Sequence, residues 1–151
     1  MTEEKIALHW FRRDLRLEDN TALNAALRTG LPVLGVFVFD PELLEGLPRD
    51  DARVTFIHQS LRRLHQQLEA RGSSLLVLYD RPERAWEKML ESLPVAAAFW
   101  NRDYEPYARR RDARIQTLLE GKGVRVETCK DQVVFEPEEI LKSDGKPYTV
   151  F

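Results

Sequence analysis

Arginines, carboxylates and aromatic rings gather at three places in this chain: Phe11-Arg12-Arg13-Asp14-Leu15-Arg16, Phe37-Val38-Phe39-Asp40, and Trp100-Asn101-Arg102-Asp103-Tyr104-Glu105. Guanidinium groups fix anions, and carboxylates accept hydrogen bonds from hydroxyl-rich or N–H-rich molecules. Aromatic walls with a few convergent polar groups describe a small-molecule site. Each cluster also has a purely structural reading. Arg12, Arg13 and Arg16 can form a solvated turn with Asp14, Glu18 and Asp19. Asp40 before Pro41 can open a turn. Asp103 and Glu105 can complement the positive end of a following helix. Arg109, Arg110, Arg111 and Arg114 read as a solvated helix face. Bond-making chemistry has no comparable support. There is no glycine-rich dinucleotide turn, no phosphate loop and no nucleophile elbow. Asp103 and Glu105, two residues apart, are too little for acid–base catalysis. His9, His58 and His65 lack metal-ligand spacing, so no metal is expected. Cys129 is the single cysteine, which excludes an internal disulfide.

The clusters fall at the ends of apolar segments. Strands are predicted near 5–10, 32–39, 75–79, 95–101 and 124–129. Residues 32–39 are nearly all apolar, as in a strand buried on both faces; the alanines of 95–100 suit a helix equally well. Helices are predicted between the strands: from Asp19-Asn20 to about Thr29, then over 51–71, 82–93 and 106–120. In the longest, Val54, Ile57, Leu61, Leu64 and Leu68 form one apolar stripe. Pro82 suits a first turn, and Pro94 stops the helix that it opens.

Strands alternating with helices predict an α/β fold: a Rossmann-like, doubly wound, five-stranded parallel sheet in order 3-2-1-4-5, with helices on both faces. In such sheets ligands bind beyond the carboxyl ends of the strands. The three clusters would then meet at one edge.

The 151 residues suit one domain, and 43% hydrophobic with 32% charged residues is a globular balance. A net charge of −2 supplies no global basic field for nucleic acid. No apolar run approaches the roughly 20 residues of a membrane helix. A cytoplasmic protein with no membrane partner is the expectation. Residues 1–130 read as the α/β domain. Residues 131–151 do not continue the βα pattern; they end on Tyr148-Thr149-Val150-Phe151 and read as a truncation point or a strap toward a partner.

Beyond these patterns, Trp10-Phe-Arg-Arg-Asp-Leu-Arg16 with Asp19-Asn20, Val36-Phe-Val-Phe-Asp-Pro41, Ala52-Arg-Val54, Trp100-Asn-Arg-Asp-Tyr-Glu-Pro-Tyr107 with Arg111-Asp112, and Gly145-Lys-Pro-Tyr-Thr-Val-Phe151 together resemble the DNA photolyase/cryptochrome family. The likeness runs along essentially the whole chain. It implies an α/β antenna domain followed, beyond Phe151, by a helical domain that binds FAD, docks damaged DNA and performs light-driven electron transfer. Residues 131–151 would then begin the linker to that partner domain. Trp10, Trp86 and Trp100 would not belong to its electron relay. The 151 residues alone would not repair DNA.

The resemblance also implies a second, light-harvesting chromophore in the α/β domain: a reduced folate, a deazaflavin, FMN or none. Positions matching the deazaflavin-binding members are Val38, Asp40, Arg53, Asp103 and Glu105. Arg12 and Phe37 complete the expected boundary, with Arg53 receiving an anionic tail at a helix start. Tyr107-Ala108 stands where folate-binding members carry an Asn-Glu pair, so a deazaflavin or FMN is expected over methenyltetrahydrofolate. Two alternatives share this fold: a cryptochrome-type signalling domain, and a free-standing flavin- or nucleotide-binding module. An apolar docking patch is expected near Tyr148, Val150 and Phe151.

Overall fold

The computed structural model describes residues 2–131. The expected docking segment with Tyr148, Val150 and Phe151 lies outside them. The elements run β1 (Ile6–Phe11), α1 (Thr21–Arg28), β2 (Val33–Phe39), α2 (Pro41–Leu44), α3 (Ala52–Glu69), β3 (Leu75–Tyr79), α4 (Pro82–Ser92), β4 (Val95–Asn101), α5 (Pro106–Gly121) and β5 (Arg125–Cys129). The sheet has the order β3-β2-β1-β4-β5. Every pairing is parallel. The predicted fold is therefore the observed one, and the alanine-rich segment is the strand β4.

Alternation along the strands divides the core. Leu8, Trp10, Val36, Ala98 and Trp100 point to one face, where Trp86 and Met89 of α4 and Ile115 and Leu119 of α5 cover them. Trp10 packs edge-to-face on Trp86 and Trp100, with ring centroids 5.6 and 5.4 Å away. The opposite face carries two clusters. Ala7 and Ala97 let α1 approach through its own Ala22 and Ala26. Phe11, Phe37 and Leu75 receive Leu61, Leu64 and Leu68 of α3.

The apolar stripe of α3 is not buried evenly. Leu61, Leu64 and Leu68 are buried, Val54 and Ile57 are half-buried, and Phe56 is exposed. The helix leans on the sheet at its C-terminal end and stands off at its N-terminal end. Gly35 permits the close end: an added Cβ would lie 2.9 Å from Phe11 Cε2 and 3.1 Å from Leu68 Cδ1. The one-turn α2 was not expected beyond a turn at Asp40-Pro41. Asp40 caps it, its Oδ1 accepting from the Glu42 N–H at 3.0 Å, with Pro41 in the first turn.

Candidate functional site

At the carboxyl edge of the sheet, part of the polar cluster is scaffold. Asn101, at the end of β4, accepts from the Ala22 N–H and donates to Asp14 and Asn20. Asn20 in turn caps α1 by accepting from the Leu23 N–H. Asp131 accepts from the Thr21 N–H and hydroxyl and pairs with Arg16 at 2.7 Å. The Asp14–Asn20–Asn101 knot ties the first crossover to β4 and leaves little polar capacity for a ligand.

Arg12 is scaffold too. Its side chain is buried and pairs with Asp112 at 2.7 Å. It also donates to the Asn101 carbonyl, and its guanidinium lies 4.7 Å from the centroid of the Trp10 ring. Burial pulls its pKa down, and Asp112 opposes that shift. Arg111 was expected on a solvated face, yet it is buried. It shares the same Asp112 oxygen at 3.0 Å and lies 5.0 Å from the Trp10 centroid.

Because α3 stands off the sheet, a cleft of about 640 Å³ opens over β2. Phe37 and Phe39, edge-to-face with centroids 4.9 Å apart, form its floor. Leu43, Leu44 and Leu47 of and after α2 form one wall. Arg53, Phe56 and Ile57 of α3 form the other. Arg13 stands at the mouth. Val38 lies along the cleft while its side chain packs into the α4/α5 core.

The carboxylates after β4 act on this cleft through Arg13. Its guanidinium is 2.7 Å from Glu105 and 3.5 Å from Asp103. The hydrogen bond to Glu105, with the negative charge of Asp103 and Glu105, raises the Arg13 pKa against modest desolvation. Asp103 also accepts from the Glu105 N–H at 3.1 Å, which fixes the turn before α5. Arg53 forks onto Asp51 at 3.0 and 2.8 Å. That hydrogen bond raises the Arg53 pKa and lowers the Asp51 pKa to about 2. Asp40 lines the cleft, but one oxygen caps α2 and the other accepts from the Tyr107 hydroxyl. Burial, then the Asp40 hydrogen bond, push the Tyr107 pKa up.

Of the expected residues, the structure brings Phe37, Val38, Asp40 and Arg53 to one cleft. Asp103 and Glu105 join it through Arg13. Arg12 lies on the other side of the sheet, with Trp10. Arg13 and the α2 leucines are the additions. The signal for Arg13 was parity. Beyond β1 the side chains continue to alternate, so Arg13 follows Phe11 and Arg12 follows Trp10. No group of three potential metal ligands occurs among the described residues. None of their helices is long and apolar enough to cross a membrane.

A doubly wound parallel sheet with a ring-sized aromatic cleft at the carboxyl end of β2, and cations at its mouth, defines a binding domain of the nucleotide-type α/β class. Comparison with known proteins narrows this class: the chain belongs to the DNA photolyase family, which it matches over residues 7–151. It is 37% identical over 144 residues to a deoxyribodipyrimidine photo-lyase from Synechococcus, covering 95% of this chain and 30% of that protein. The structure of a class III photolyase from Agrobacterium tumefaciens superposes with a TM-score of 0.86 at 30% identity, covering 99% of this chain and 30% of that one. An archaeal photolyase from Sulfolobus tokodaii, described with two FAD molecules and a novel light-harvesting cofactor, gives 0.81 at 32% identity, covering 90% and 32%. The chain thus spans about a third of the length of these relatives.

Proposed function

We propose that these residues are the light-harvesting α/β domain of a deoxyribodipyrimidine photolyase, an enzyme that repairs pyrimidine dimers in DNA with light. The observation that carries the proposal is the cleft over Phe37 and Phe39 with Arg13 and Arg53 at its rim. Its floor is apolar and aromatic, as a planar ring system requires, and its cations suit an anionic tail. A bound antenna chromophore would absorb light and pass the excitation to FAD in a helical domain following residue 151. That domain would also meet the damaged DNA. The single cysteine accords with a reducing, cytoplasmic setting.

The chain's own part in this function is positioning. Phe37 and Phe39 hold the ring plane, and the α2 leucines keep water from one side. Arg13, held by Glu105 and Asp103, meets the anionic end together with Arg53. Tyr107, bonded to Asp40, fills the place of the folate-type amide–acid pair, so a deazaflavin or FMN is favoured over methenyltetrahydrofolate. Titration of the purified protein with FMN, a deazaflavin and methenyltetrahydrofolate, followed by absorbance and fluorescence, tests this reading. Either flavin-type ligand should bind tightest, and Arg13→Ala should weaken it roughly 10-fold, the loss of one charge-assisted hydrogen bond. Tightest binding of the folate, or a flavin affinity unmoved by Arg13→Ala, contradicts it.

A further inference from the structure

A second groove, of about 410 Å³, adjoins the first. Phe39 belongs to the walls of both. The groove runs between the outer side of α3 and the edge strand β3. Its origin is the lean of α3 described above. The helix covers Leu75 but leaves Val77 43% and Tyr79 66% exposed. Strand pairing sets Phe37 beside Val77 and Phe39 beside Tyr79. The apolar floor of the cleft therefore continues, on the same sheet face, to the sheet edge.

The helix wall of this groove is chemically unlike the first. It carries His58, Arg62, His65 and Gln66. His65 pairs with Glu69 at 3.0 Å. Arg62 has no carboxylate partner among the described residues, and its guanidinium is free to meet an anion. Gln66 offers both donors and an acceptor. Read outward from Phe39, the surface thus runs from an aromatic floor to a free cation with an amide one turn further along α3. A compact ligand confined to the first cleft leaves all of this unused. A ligand with a diphosphate and a second flat base uses each part: the phosphates at Arg62 and His58, the base against Val77 with its polar edge toward Gln66.

We propose that the groove between α3 and β3 is a subsite for the nucleotide tail of a flavin dinucleotide whose ring system occupies the cleft over Phe37 and Phe39. The inference rests on the chromophore reading above and specifies the length and charge of its ligand. It is tested by calorimetric titration of the intact protein with riboflavin, FMN and FAD, repeated with Arg62→Gln and with Val77→Asp. Circular dichroism confirms that each variant is folded. FAD should bind about 10-fold tighter than FMN, and that ratio should fall to near one in both variants. Equal affinities for FMN and FAD in the unaltered protein overturn the subsite and leave the chromophore reading standing. An FAD preference untouched by both variants overturns it as well. Failure of all three ligands to bind overturns the subsite together with the reading beneath it.

Discussion

His9 lies fully buried on β1, its ring edge-on to Phe11 at 4.3 Å, with neither ring nitrogen hydrogen-bonded. Burial lowers its pKa from 6.5 to about 4, against the attraction of Asp14, whose carboxylate is 3.8 Å away. The folded state therefore binds fewer protons than the unfolded state between those values. Stability is complete above the unfolded pKa and is lost as pH falls from about 6.5 toward 4. The full shift corresponds to about 3 kcal/mol. Denaturant titrations at pH 7 and pH 4.5 should show His9→Leu losing roughly 2–3 kcal/mol less than the unaltered protein over that interval. Identical losses would show that His9 does not titrate in this range. Residue types were legible in the sequence, but their directions were not. Arg12 and Arg13 are the same amino acid at adjacent positions, and only the face each inherits from Trp10 or Phe11 separates scaffold from cleft. Asp40 likewise reads as a free acceptor until Tyr107, far along the chain, is seen to bond it.

At the scale of elements, strands and long helices follow from apolar runs, periodic stripes and proline or glycine stops, and they lie within a residue or two of their expected bounds. The four-residue α2 has no periodicity to reveal it, although it supplies a wall of the cleft. The lean of α3 was hidden for a different reason. Val54, Ile57, Leu61, Leu64 and Leu68 form an unbroken stripe in sequence, and only the partner surface decides which of them are covered. Gly35 sets that partner surface. An Ala at this position would collide with Phe11 and Leu68, and both sit in a packed core. Gly35→Ala should therefore cost about 1–3 kcal/mol by overpacking. It should also move α3 and so weaken any ligand held between α3 and β2. Urea denaturation and a flavin titration on the same variant check both effects. Unchanged stability would show that α3 does not depend on this contact.

For the molecule as a whole, alternating strands and helices with right-handed crossovers were enough to predict the order 3-2-1-4-5, because those rules leave few other arrangements. The position of the site was legible only in outline. The expected edge lay beyond strands one, two and four. The structure instead concentrates the cleft over β2, and β1 and β4 contribute through the single Arg13–Asp103–Glu105 clamp. The chain spans 30% of its Synechococcus relative, so its proposed role is to collect light for a reaction centre elsewhere in a longer protein. The central claim is that the chromophore lies in this cleft, and a crystal structure of the protein soaked or grown with FMN tests it most directly. The account predicts the isoalloxazine ring against Phe37 and Phe39, between α2 and α3, with the phosphate facing Arg13 and Arg53. A flavin found instead on the α4/α5 face of the sheet, or at a surface that includes none of these four residues, would contradict it.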